Sequence, residues 1–161
     1  MPISAATQIL EQVWEPRGFP VDPAWIAGQF GIQIYEATFE KEISGALIKK
    51  PGEDPLVMLS IRDSKPRQRF TCAHELGHYI QRHQRADLSE LYDYVDFRDT
   101  RANANLGSNE TYANDFAAHL LMPPAEINLL WREDLSDYAM AIHFGVPLEA
   151  VRDRLKQLGH V

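Results

Sequence analysis

Apolar residues near the start of the chain recur at helical spacing. Ile9, Leu10, Val13 and Trp14 share one face and predict a helix over about residues 4–15. Asp22-Pro23 sets a capping residue before a proline at the first helical position, and Gly31 after Phe30 closes a second helix. From 32 to 61 the pattern turns strand-like, with candidate strands at 32–36, 44–49 and 56–61. Pro51-Gly52-Glu53-Asp54-Pro55 is the turn between the last two. The helical period returns over about 65–83 and again over 110–122. Ser108 and Asn109 are candidate caps for the second of these, and Pro123-Pro124 stops it. Two shorter helices follow Ser136 and Pro147. Residues 86–109 are polar, with Asp87, Asp93, Asp96, Asp99, Asn103 and Asn109, and predict a long loop. Loops of that length inside compact domains usually carry function or move, and this one joins the two central helices, at the rim of any cleft between them.

Within the 65–83 helix stands His74-Glu75-Leu76-Gly77-His78. Four residues of helix advance about 6 Å and turn about 40° past a full turn, so His74 and His78 project from one face and can converge on a metal ion. Glu75 is rotated to the side of that pair, where it could hold a metal-bound water rather than the metal. Two surface histidines beside a solvated glutamate would be the plainer reading, and Gly77 argues against it. A glycine inside a helix costs about 1 kcal/mol relative to alanine, so beside Ala73 it points to something approaching the helix closely.

A third protein ligand is best sought on the next helix. Glu110, Ala113, Asn114, Ala117 and Leu121 form one stripe that is small and apolar except for a carboxylate and an amide one turn apart. A carboxylate on a face built for burial needs a partner or a metal. Glu110 is therefore the candidate third ligand, with Asn114 placed to support a ligand from behind. An ordinary first-turn glutamate favoured by the helix dipole is the competing reading, and it weakens once the pentad is set beside it.

Arg69-Phe70-Thr71-Cys72-Ala73-His74-Glu75-Leu76-Gly77-His78-Tyr79, together with Glu110-x-x-Ala113-Asn114-x-Phe116-Ala117-Ala118-x-Leu120-Leu121-Met122-Pro123, resembles the ImmA/IrrE metallopeptidases. The resemblance extends to Pro55-Leu56-Val57-Met58-Leu59-Ser60, to Phe97-Arg98-Asp99, and to a C-terminal run from Phe144-Gly145-Val146-Pro147 to Leu158-Gly159. It departs at Ser60, where an asparagine is common, and no departure touches a proposed ligand. The resemblance implies a gluzincin-like Zn2+ site with His74, His78 and Glu110 as ligands and Glu75 as general base. Mn2+ or Fe2+ would suit the same donors. The implied fold is α+β, a mostly helical zincin-like metallopeptidase domain with a small three-stranded sheet and a helix-turn-helix-like tail. Residues 1–161 then form one domain: helices and sheet over 1–64, metal-binding helices and their loop over 65–124, and the tail over 125–161.

Composition limits the partners. The chain has 161 residues, 45% hydrophobic and 24% charged, as in an ordinary soluble domain. No run of eighteen apolar residues predicts a membrane span, and Met1-Pro2-Ile3-Ser4 opens no secretory signal. The single Cys72 cannot form an internal disulfide, which fits the cytoplasm. Its offset from His74 places it on another face, as a small buried hydrophobe. Net charge is −7, against direct nucleic-acid binding. Arg152, Arg154 and Lys156 in the tail are interleaved with Glu149 and Asp153, the pattern of a solvated face rather than a DNA footprint.

Three protein ligands leave a coordination position for water, as catalytic zinc requires. Tyr92, Tyr94, Tyr112, His83, His119 and Arg98 are all candidate donors to a reacting oxyanion, and the sequence does not choose among them. Two functions fit these features. One is a narrow endopeptidase that, by the family resemblance, cleaves a helix-turn-helix repressor and so derepresses stress, mobile-element or toxin–antitoxin genes. The other is a non-proteolytic metal-containing module that docks to such a partner. Glu75 favours the first, because a purely structural site has no use for a base.

Overall fold

The computed structural model describes residues 1–15, 17–40, 42–84, 94–99 and 108–160, with backbone alone at 94–99 and 108. Helix α1 (Pro2–Ile9) begins with proline in its first turn and widens into a turn of π-helix over Leu10–Trp14. Helix α2 (Pro23–Gln29) starts as its sequence predicts: the Asp22 carboxylate accepts from the backbone N–H groups of Ala24 and Trp25 at 3.1 and 3.2 Å. Three strands follow, β1 (Gln33–Ala37), β2 (Ile43–Lys49) and β3 (Leu56–Ser60), close to the predicted bounds.

A fourth strand, β4 (Tyr94–Asp99), falls inside the stretch that reads as loop. The sheet order is β1-β3-β2-β4, with β1 parallel to β3 and the other pairs antiparallel. Polar residues hide this strand from periodicity, since Tyr94, Val95 and Phe97 alternate imperfectly with Asp96, Arg98 and Asp99. What specifies it is long-range pairing with β2, which a local pattern does not carry. The rest of the predicted loop, 85–93 and 100–107, lies outside the described residues.

Helix α3 (Lys65–Gln84) packs against β2 and β3, and α4 (Ser108–Leu121) packs along α3, the most extensive pairing among the described elements. Every residue of α3 from Thr71 to His78 is buried, although Thr71, His74, Glu75 and His78 are polar. A helix surrounded on all sides normally carries apolar residues all round, so the polar ones need partners. The core runs through Leu47, Val57, Leu76, Phe116, Leu120, Ile127 and Phe144. Cys72 is part of it, its thiol pushed up to about 12 by burial, in keeping with a small hydrophobe and not a reactive thiol.

Pro123-Pro124 ends α4 as predicted, but Pro124 also opens α5 (Pro124–Arg132), a helix outside the predicted set. Proline is well suited to a first helical position, so one dipeptide serves as stop and start. The tail is α6 (Asp137–Phe144) and α7 (Leu148–Gln157), joined by Gly145 in the left-handed conformation at φ 66°. A Cβ on Gly145 would sit 2.7 Å from Arg69 Nε, so its absence lets Arg69 reach in and donate to the Gly145 carbonyl at 3.1 Å. Arg69 also donates to the Val21 carbonyl, tying the tail and the approach to α2 onto α3.

A second tie joins α1, α4 and α7. His119 Nε2 lies 3.0 Å from Thr7 Oγ1, whose hydroxyl donates to the Ile3 carbonyl, and Arg154 Nη2 lies 3.5 Å from His119 Nδ1. Arginine can only donate, so Nδ1 is the acceptor and His119 is neutral. Burial first, and then the Arg154 charge, hold its pKa below the usual 6.5. Asp115, one turn back on α4, acts on Arg154 and favours its charge, and Gln157 on α7 accepts from the same guanidinium. Below pH 6.5 the unfolded chain binds a proton at this position that the native state resists. The His119 contribution to stability is therefore present above about pH 6.5 and is lost as pH falls toward the lowered native value. The thermal midpoint should drop more steeply between pH 7 and 5 in the parent than in His119→Gln, whose side chain does not titrate. Parallel curves would contradict this assignment. No described helix is long and apolar enough to cross a membrane.

Candidate metal centre

The face logic of the sequence holds in three dimensions. His74 and His78, one turn apart on α3, are 1% and 3% exposed, and their Nε2 atoms approach to 3.1 Å. From α4, Glu110 brings Oε2 to 3.1 Å from His74 Nε2 and Oε1 to 2.7 Å from His78 Nε2. One donor atom from each of the three residues lies within 4.8 Å of the others, a spacing that could hold a metal ion.

The hydrogen bonding behind the site makes that fit more specific. His74 Nδ1 lies 2.8 Å from Asn114 Oδ1. An amide oxygen only accepts, so Nδ1 carries a proton, and when the imidazole is neutral the lone pair of Nε2 turns toward Glu110. A lone pair facing a carboxylate at 3.1 Å is repulsive unless something positive lies between them. Two imidazole nitrogens and one carboxylate suit a borderline cation such as zinc, and leave room for a further ligand. Burial alone would raise the Glu110 carboxyl; in the state where His74 and His78 are instead protonated, their hydrogen bonds and charge outweigh burial and hold the group well below the usual carboxylate range.

Glu75 is fully buried with both carboxylate oxygens out of contact with solvent. Glu110 is 30% exposed, so the centre meets solvent on the α4 side. The close approach expected at Gly77 is to α4: a Cβ there would lie 3.1 Å from Ala113 Cα and 3.0 Å from Phe116 Cδ1.

Of the six candidate oxyanion donors, three are described with their side chains. His119 is engaged with Thr7 and Arg154. The His83 ring packs 4.0 Å from that of Tyr79, with Nδ1 3.1 Å from the Tyr79 carbonyl. Tyr112 donates to Gln84 at 3.0 Å. Tyr92 and the side chains of Tyr94 and Arg98 lie outside the described residues. In the tail, Arg154 is buried and donates to the Met122 carbonyl, while Glu149 pairs with Arg67 and Arg152 with Asp137.

A peptidase family model, that of the IrrE N-terminal-like domain, matches residues 27–156. The chain belongs to this family. The match spans the sheet, both helices of the centre and most of the tail, in agreement with an α+β zincin-like fold. No curated protein matches the sequence significantly. Among solved structures, a Mycobacterium tuberculosis transcriptional regulator is similar over 96% of this chain at a TM-score of 0.62 and 16% identity. That similarity covers 46% of the regulator, so this IrrE-like chain spans about half its length, and at that identity the likeness is one of fold.

Proposed function

We propose that this chain is a zinc-dependent endopeptidase of narrow specificity, with His74, His78 and Glu110 as metal ligands, Asn114 fixing His74 and Glu75 as the base. The observation that carries the reading is the convergence of three buried or half-buried donor atoms from two helices, with a buried carboxylate one residue along from the first. A zinc ion held there would polarise a peptide carbonyl and lower the pKa of water to about 7. Glu75 accepts the proton of the attacking water and returns it to the leaving amine. Asn114 keeps His74 in the tautomer whose Nε2 lone pair would bind the metal, and its hydrogen bond limits rotation of the ring. Burial of Glu75 keeps competing water away from the base and strengthens its electrostatic interactions.

The substrate we propose is a helix-turn-helix transcriptional repressor in the cytoplasm, whose cutting derepresses stress, mobile-element or toxin–antitoxin genes. The family supports a peptidase, and the similar fold in a transcriptional regulator supports a regulatory setting. The inward turn of Arg154 and the pairing of Arg152 support action on a protein rather than on DNA. The test is to incubate the zinc-loaded protein with the repressor encoded nearest to it and follow the products by mass spectrometry. A discrete cut that a chelator abolishes and added zinc restores is expected. Cleavage indifferent to the chelator would refute the metal-dependent mechanism.

A further inference from the structure

We infer that Gly77 is a positioning residue that sets the gap between α3 and α4, and with it the reach of Glu110 to the two histidines. The inference rests on the metal-binding reading above. Gly77 lies inside the pentad but offers no atom to a metal, and a helix interior disfavours glycine. Its helical backbone needs no left-handed conformation, since it is not among the glycines with positive φ. What requires glycine is the neighbour. An added Cβ would meet Phe116 Cδ1 at 3.0 Å, Ala113 Cα at 3.1 Å and Phe116 Cβ at 3.2 Å. Phe116 is fully buried and has little room to turn away, and Ala113 Cα is backbone.

Ordinary carbon contacts lie at about 3.5–4.0 Å, so a methyl group here would force α4 outward by about half an ångström. Glu110 is one turn before Ala113 on the same stripe of α4, and Asn114 is the next residue after it. Both would retreat with the helix. Zinc sites tolerate deviations of only about 0.2 Å from ideal bond lengths, and the 2.8 Å contact between Asn114 and His74 would stretch as well. The flexible Glu110 side chain can recover part of the loss, so weakening is expected and not abolition.

The experiment compares parent, Gly77→Ala and Ile127→Ala. The last opens a cavity at a fully buried position on α5, which contributes no side chain to the centre. Zinc affinity is measured by competition with a chelator, cobalt coordination by visible absorption, and stability by thermal unfolding of the metal-free proteins. Gly77→Ala is expected to bind zinc about tenfold more weakly or worse, with altered cobalt bands. Ile127→Ala is expected to lose stability but keep the parent's affinity and spectrum. Should Gly77→Ala fail to fold, adding Phe116→Leu removes side-chain crowding but keeps the clash with Ala113 Cα, and the same weakening is expected. A folded Gly77 variant with the parent's affinity and cobalt spectrum overturns the inference, as does equal weakening in Ile127→Ala. A parent that binds no metal overturns both the inference and the reading beneath it.

Discussion

His74→Ala or His78→Ala is expected to yield a folded protein without metal, where the parent carries about one zinc per chain. Each substitution removes a donor nitrogen that lies within 3.1 Å of the Glu110 carboxylate, and the remaining two donors do not make a zinc site of the usual three or four ligands. Glu110→Ala should cost more than about 100-fold in affinity, the upper end of what losing an outer partner costs, because it removes a ligand itself. Asn114→Ala leaves all three donors in place and removes only the bond that orients His74, so a loss of about 10- to 100-fold is expected. Elemental analysis after gel filtration, with chelator competition for the weaker binders, checks the whole series. Metal content unaffected by the histidine substitutions would disprove the site. If Glu110→Ala alone binds like the parent, the third ligand lies elsewhere, and the acidic residues Asp93–Asp99 are the next place to look.

Glu75→Gln is expected to keep the fold and the metal and to lose at least about 100-fold in cleavage of the repressor, the low end of what general base catalysis supplies. Glutamine preserves the shape and hydrogen-bonding reach of the side chain but takes no proton. Its amide would replace a carboxylate whose two oxygens are both buried, so some change in thermal stability is expected, and matched zinc content is the control that matters. A candidate repressor is the proper substrate, since a narrow peptidase can ignore a generic protein. Equal cleavage by parent and variant at equal zinc content would remove Glu75 from the base role. If neither cuts, yet both bind the repressor and relieve repression equally, the chain acts by docking.

The centre was legible in the sequence because its information is local and periodic. His74 and His78 fall on one helical face by spacing alone, and the Glu110–Asn114 stripe shows its polar pair against small apolar residues. Gly77 signalled a close neighbour, although only the structure identifies that neighbour as α4. Elements defined by distant partners were harder to read. Strand β4 has no clear alternation of its own and exists through its ladder with β2. Helix α5 was hidden because Pro124 is both a breaker of one helix and a favoured opener of the next. The His119–Thr7 pairing joins positions 112 residues apart, and no spacing rule reaches that far.

The most direct test of the account is anomalous diffraction at the zinc edge from crystals of the zinc-loaded protein. A single strong peak bonded to His74 Nε2, His78 Nε2 and a Glu110 carboxylate oxygen, at about 2.0–2.2 Å from each, is the predicted result. Zinc-saturated crystals with no peak among these three side chains, or with the ion bound by Glu75 in place of Glu110, would contradict it.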